Sequence, residues 1–176
     1  MDELERKSVE DFHAAAKFPI VVVLDNVRSM HNVGSVFRSS DGFLIEAIYL
    51  CGYTPQPPHR DINKTALGAT ETVTWKYFPH TIEAIQQLKE KGYRLLAVEQ
   101  AEKSISLEKL EWDGKTPLAL IFGNEVSGVD QSVIDLCENC VEIPQWGMKH
   151  SLNISVAAGI VLWEVVRGVG SVNRQS

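Results

Sequence analysis

The stretch Ile143-Pro-Gln-Trp-Gly-Met-Lys-His-Ser-Leu-Asn-Ile-Ser-Val-Ala-Ala-Gly-Ile-Val-Leu-Trp-Glu164 decides how this chain folds. A loop holding Pro144 and Gly147 runs into the polar cluster Ser151-Leu152-Asn153, which opens a helix that stays apolar almost to Val166. Ser or Asn at a helix start caps unpaired backbone N–H groups, and capping alone accounts for the cluster. The helix itself, expected over 151–168, is less ordinary. Ile154, Ala157, Ala158, Val161 and Val165 lie on one side, and Val156, Ile160 and Trp163 on the other. A helix apolar all round must be buried all round. One sheet face in so small a domain covers only part of it, so a second copy of the chain is expected over the rest: a homodimer through the C-terminal helix region.

Two further patches end in the same way, with a short apolar run followed by polar residues. Ile20-Val-Val-Val-Leu24 has the composition of a buried strand, and Asn26-Val-Arg28-Ser-Met-His31-Asn32-Val-Gly34-Ser-Val-Phe-Arg38 follows it. Asn32 reads as an N-cap, with Val33, Val36 and Phe37 on one helical face. Arg38 lies off that face and leans back toward the turn holding Gly34. That geometry suits a phosphate or ribose, although a solvent-facing arginine on an amphipathic helix fits equally. In the second patch, Pro117-Leu-Ala-Leu-Ile-Phe122 leads into Gly123-Asn124-Glu125-Val-Ser127-Gly128. Its glycines permit positive φ and close approach of a ligand, or simply a plain turn.

Strands alternate with helices along the chain, which predicts an α/β fold: a parallel sheet flanked by helices. The expected elements are helix 3–16, strand 20–24, helix 33–42, strand 46–51, a stiff Pro-rich loop 53–60, helix 62–67 and a strand near 72–77. Helix 81–91, strand 93–98, an acidic loop, strand 117–122, helix 130–137 and strand 140–143 complete the series before the last helix. At 176 residues and 44% hydrophobic content the chain makes one globular domain, 1–176, with an N-terminal helical extension (1–18) and a tail at 170–176 expected to fray. No signal peptide or membrane span is recognisable, so a cytoplasmic protein without a membrane partner is expected. Cys137 and Cys140 form a C-x-x-C with no second ligand pair at a metal-site spacing, so no metal is expected.

The net charge of −6 argues against a generic nucleic-acid binder. Yet residues 26–38 carry Arg28, His31 and Arg38 without an acid, and His59, Arg60, Lys64, Lys149 and His150 add to them. Such a basic mouth on an acidic body fits a local RNA feature, with Arg28, His31, Arg60, Lys64 and Lys149 as the expected contacts. Neither G-x-G-x-x-G nor G-x-x-x-x-G-K-[ST] occurs, so the dinucleotide and P-loop readings lack their fingerprints.

In this order the patches resemble the SpoU/TrmH branch of the SPOUT superfamily, the RNA 2′-O-ribose methyltransferases. Asn32-Val-Gly34 with Arg38 is similar to its first motif, Phe122-Gly123-Asn124-Glu125 with Gly128 to its second, and Ile143-Pro144, Gly147 and Ser151-Leu152-Asn153 to its third. The likeness spans roughly residues 20–168. One departure stands at Leu44, where the family often has glycine and this chain has its glycine earlier, at Gly42. Many relatives also carry a separate N-terminal RNA-binding domain, and about 18 residues precede the first strand here.

The resemblance implies a SPOUT-type fold with a C-terminal trefoil knot, a feature sequence physics alone never favours. It implies S-adenosyl-L-methionine as cofactor, held among Ala97, Val98, Glu99, Gly123, Asn124, Ile143, Met148, Ser151 and Leu152, and tRNA or rRNA as the structured RNA substrate. Arg38, Asn32, Glu125, Ser151 and Asn153 are the implied catalytic set. A guanidinium keeps its proton in proteins, so Arg38 is expected to bind the adjacent phosphate and stabilise the developing alkoxide, with Glu125 orienting Arg38 or the substrate. A twofold contact would make the RNA site composite. The alternative is a catalytically silent RNA- or ribosome-binding module of the same fold.

Overall fold

The computed structural model describes residues 8–149 and 151–173. Seven strands form one sheet: β1 (Phe18–Asp25), β2 (Ile45–Cys51), β3 (Thr74–Phe78), β4 (Arg94–Val98), β5 (Ile105–Ser106), β6 (Leu118–Phe122) and β7 (Asn139–Glu142). Their order is β3-β2-β1-β6-β4-β7-β5, and every pairing is parallel. The helices are α1 (Val9–Ala14), α2 (Met30–Gly42), α3 (Arg60–Ala66), α4 (Ala69–Thr72), α5 (Thr81–Glu90), α6 (Gln131–Ile134) and α7 (Ile154–Asn173).

Side chains alternate across each strand, so the apolar run of β1 serves two cores. Ile20, Val22 and Leu24 pack with Val33, Val36 and Phe37 of α2 and with Ala158, Val161 and Leu162 of α7. Val21 and Val23 face the other way, with Ile85 and Leu88 of α5 and Val133 of α6. Because the strands are parallel, their carboxyl ends share one rim, where ligands of open α/β sheets bind.

Several local expectations change. Ser29, not Asn32, caps α2, its hydroxyl accepting from the Asn32 N–H at 3.2 Å. Asn32 is buried one turn inside, because the helix starts earlier than its apolar periodicity shows. Gly34 serves packing: an added Cβ would lie 2.2 Å from the Ile62 carbonyl oxygen and 2.1 Å from Thr65 Oγ1, so α3 fills the space. Leu44, the departure noted above, sits at φ +54, the left-handed conformation that glycine adopts without strain. The acidic loop holds β5 and a 3₁₀ turn, Leu107–Lys109, whose Leu107 enters the first core. Helix α6 is shorter than expected, and α7 runs on to Asn173 past the expected end at 168. The beginning of the predicted first helix (3–7) and the end of the tail (174–176) lie outside the described residues, as does His150.

Candidate active site

The loop leaving β6 closes on itself. Asn124 and Gly128 exchange backbone hydrogen bonds in both directions at 2.9 Å, and Asn124 Oδ1 accepts from the Val126 N–H at 2.8 Å. This fold-back is why Gly123 has no side chain: a Cβ there would lie 2.0 Å from the carbonyl carbon of Gly128. Glu99, just past β4, locks the far end of the loop by accepting the Val129 N–H at 3.0 Å. These glycines, which also line the cleft, serve the approach of the chain to itself.

The same loop reaches across to the first motif. Asn124 Nδ2 donates to the Asn26 carbonyl at 2.7 Å. The Glu125 carboxylate accepts the N–H groups of Arg28 and Ser29, each at 3.1 Å, and the Asn32 side-chain amide at 3.4 Å. An anion at the start of α2 also faces the positive end of the helix dipole. Burial alone pushes the Glu125 carboxyl up. The amides of Glu125 itself, Arg28 and Ser29, with the Asn32 side chain, more than reverse this and hold it below the ordinary 4.5. Glu125 therefore orients the first-motif loop and Asn32, and among the described residues no hydrogen bond or ion pair joins it to Arg38.

Between this loop and the start of α7 opens a cleft of about 500 Å³. Val98, Glu99, Gly123, Asn124, Glu125, Ile143, Ser151, Leu152 and Asn153, all singled out from sequence, line it. Gln145 of the third-motif loop lines it as well, while Gln100, Glu142 and Ala157 were missed; the first two of these stand at or just beyond the carboxyl ends of β4 and β7, where the strand-end rule could have found them. Asn153 caps α7, with Oδ1 accepting from the Ser155 N–H at 2.9 Å.

Some expected residues lie elsewhere. Ala97 is fully buried in β4 among the residues of the second core. Met148 is 92% exposed and does not line the cleft. Arg38 borders a different opening, with Asp41 and residues 66–72, and among the described residues it has no hydrogen-bond or ion-pair partner. Arg28, His31, Arg60 and Lys64 are exposed and fall on two closely packed elements, α2 with its leading loop and α3. Lys64 pairs with Asp61 at 2.9 Å, and Lys149 is exposed on the third-motif loop. Burial pushes the Cys137 thiol up to about 12, with Cys140 adding to the effect, so it is protonated at neutral pH and unlike an activated redox thiol.

Residues 19–163 match the SpoU rRNA Methylase family. The 23S rRNA (guanosine-2′-O-)-methyltransferase RlmB of Vibrio parahaemolyticus is 31% identical over 94% of this chain and 66% of its own. The tRNA (guanosine(18)-2′-O)-methyltransferase of Aquifex aeolicus is 28% identical over 84% of this chain and 69% of its own. Among solved structures, an AdoMet-bound rRNA methyltransferase from Sinorhizobium meliloti superimposes with a TM-score of 0.81 at 25% identity, over 90% of this chain and 60% of that one.

Proposed function

The chain belongs to the SpoU rRNA methylase family, and from that premise we propose how it acts as an S-adenosylmethionine-dependent RNA 2′-O-ribose methyltransferase. One observation carries the reading: Glu125 and Asn124 tie the second motif to the first at the mouth of the cleft that the third motif completes. The cleft fits the cofactor in size and chemistry. Ile143, Leu152 and Ala157 offer an apolar wall, and Glu99, Gln100, Gln145 and Ser151 bring polar groups. When bound, S-adenosylmethionine supplies an electrophilic methyl group on a sulfonium.

The residues of the chain align the ribose and manage charge. Asn32 is fixed by Glu125, while Nδ2 of Asn153 has no recorded partner among the described residues and remains a donor for the ribose hydroxyl. Glu125, with three donors on its carboxylate and a lowered pKa, is a poor base and acts by positioning. The Arg38 guanidinium grips the neighbouring phosphate and stabilises the oxyanion developing on O2′.

The placement of Arg38 away from the cleft supports a composite site in which two copies each complete the other's. Helix α7 supports the same association: Val156, Ile160 and Trp163 form an exposed stripe, with Trp163 56% exposed, while Ile154, Ala158, Val161 and Val165 are buried. An apolar stripe of this kind marks an association surface. A trefoil knot fits the chain path, since α7 returns to pack beside α2 after β7, which lies beyond β4 in the sheet. Among the described residues no helix is long and apolar enough to cross a membrane, and a cytoplasmic location fits an enzyme acting on tRNA or rRNA.

Labelled methyl transfer to unmodified tRNA and rRNA transcripts, followed by nucleoside analysis, tests the activity. Arg38→Ala is expected to keep cofactor affinity and lower transfer by about 10²–10³-fold, the scale of losing one stabilising group. Mixing inactive Arg38→Ala with inactive Gly123→Val should restore part of the activity, because a mixed dimer holds one intact composite site. Absence of any recovery in a verified mixed dimer would sink the shared site, and an active monomer by sedimentation equilibrium would sink the dimer.

A further inference from the structure

The rim that carries the cofactor cleft has a second opening, at the carboxyl ends of β1, β2 and β3. It encloses about 460 Å³ and is bordered by Asn26, Tyr53, Tyr77, His80, Thr81 and Asp130. We propose that this opening is a nucleobase subsite for RNA, in which Tyr53 is the platform for a base neighbouring the methylated nucleotide. The proposal rests on the RNA methyltransferase reading and extends it to a specificity-determining contact.

Tyr53 presents a ring that is 80% exposed on a backbone that is held in place. Its N–H donates to Asn26 Oδ1 at 2.9 Å, the Gly52 N–H donates to the Phe78 carbonyl at 3.0 Å, and the Tyr77 hydroxyl donates to the Gly52 carbonyl at 3.0 Å. With its backbone held, a tyrosine has only two side-chain torsions to lose when a base stacks on it. Stacking on an aromatic face tolerates any base, and neighbouring polar groups add preference.

The charges around the opening favour a base over a phosphate. The Asp25 carboxylate accepts from the Thr81 hydroxyl at 2.5 Å, the Asp130 N–H at 3.0 Å and the Asn26 side chain at 3.1 Å. Asp130 uses Oδ1 to cap α6, accepting the Ser132 N–H at 2.9 Å, while its Oδ2 has no partner among the described residues. Two carboxylates repel a phosphate, whereas a free carboxylate oxygen beside an aromatic ring accepts the amino group of a base.

Placement joins this opening to the reaction. Asn26 borders it, and the Asn26 carbonyl takes the hydrogen bond from Asn124, which lines the cofactor cleft. The divide between the two openings is thus the loop 26–29, and it carries the exposed Arg28, whose side chain has no recorded partner among the described residues. A strand with its ribose at the cofactor cleft and its next base on Tyr53 crosses Arg28 with the phosphate between them. The proposed dimer leaves the opening free, because Ile82 and Val133, which border it, pack in the core opposite the one that α7 covers.

Two measurements on the full chain, with S-adenosylmethionine present, test the subsite. Unmodified tRNA and rRNA transcripts containing 4-thiouridine are irradiated with the protein, and the crosslinked peptide is identified by mass spectrometry; attachment at Tyr53 or Tyr77 is expected. Tyr53→Ala should raise KM for RNA about ten-fold or more, the scale of a lost base stack, with kcat and cofactor affinity nearly unchanged, while Tyr53→Phe keeps the wild-type KM. Crosslinks confined to other segments, or an unchanged KM in Tyr53→Ala, overturn the subsite while transfer by the wild type still stands. A wild-type protein that binds S-adenosylmethionine and methylates no RNA overturns the underlying reading, and the subsite falls with it.

Discussion

The two loops that frame the cofactor cleft are built on opposite plans. In the loop Gly123–Val129, polar groups are taken up internally or by the first motif, through the Asn124–Gly128 pair, the Glu99 lock and the Glu125 clasp. In the segment 143–149 no hydrogen bond is recorded among the described residues, and Trp146 is 91% exposed. One wall is finished by the chain itself, so it has few backbone N–H groups left to offer a ligand. The other keeps its donors and acceptors free, and those are what a nucleoside cofactor can use. In the proposed function, the finished wall sets the geometry between cofactor and ribose, and the open wall provides the binding groups.

The largest effect is expected at the finished wall. Gly123→Val drives a side chain into the Gly128 backbone, which cannot move aside as a flexible side chain would. Calorimetry should show loss of S-adenosylmethionine binding, with a stability loss well above the ~1 kcal/mol of an average substitution. Binding as tight as the wild type would show that the fold-back is dispensable. Glu125→Ala comes next. It leaves the Arg28 and Ser29 amides without their acceptor, and because water reaches these exposed groups the stability cost should be only about 1 kcal/mol. Turnover should fall more than cofactor affinity, since Asn32 loses its anchor.

Acid probes the same clasp. A carboxylate whose folded-state pKa lies below its unfolded value adds stability above that unfolded value, and the contribution disappears as pH falls through the folded one. The Glu125 clasp is therefore intact at neutral pH and weakens below the ordinary 4.5. Thermal midpoints measured across that range should fall less steeply in Glu125→Gln than in the wild type. Equal slopes would remove Glu125 from the acid response.

Hydrogen exchange sharpens the contrast between the walls. The N–H groups of Asn124, Val126 and Gly128 should exchange slowly without any ligand, whereas those of residues 145–149 should slow only when S-adenosylmethionine is added. Protection of both segments in the free protein would erase the distinction. The smallest effect belongs to the open wall's side chains. Trp146→Ala and Met148→Ala should leave stability within about 0.5 kcal/mol of the wild type, because both are surrounded by solvent. A larger loss in either would reveal packing in solution that the single chain does not show.

Strands β1 to β4, β6 and β7, the parallel sheet and the gathering of three polar patches on one rim were legible in the order of residues, whereas β5 was read as loop. Apolar runs, their alternation with amphipathic segments and the handed connections of α/β units are local or nearly local signals. The two-sided apolar character of α7 was equally plain, and the fold leaves one of those sides uncovered, as that pattern foretold. Only tertiary structure decided what the individual residues do. Glu125 reaches Arg28 across 97 positions of sequence, and Gly34 makes room for α3. Asn32 proved to be a buried partner of Glu125 and not a cap, while Arg38 borders an opening other than the cleft of its own chain. Periodicity records which face of an element is buried, but not which distant backbone arrives there. Hydrogen bonds and close glycine contacts depend on that arrival, so their partners are set only when the layers pack.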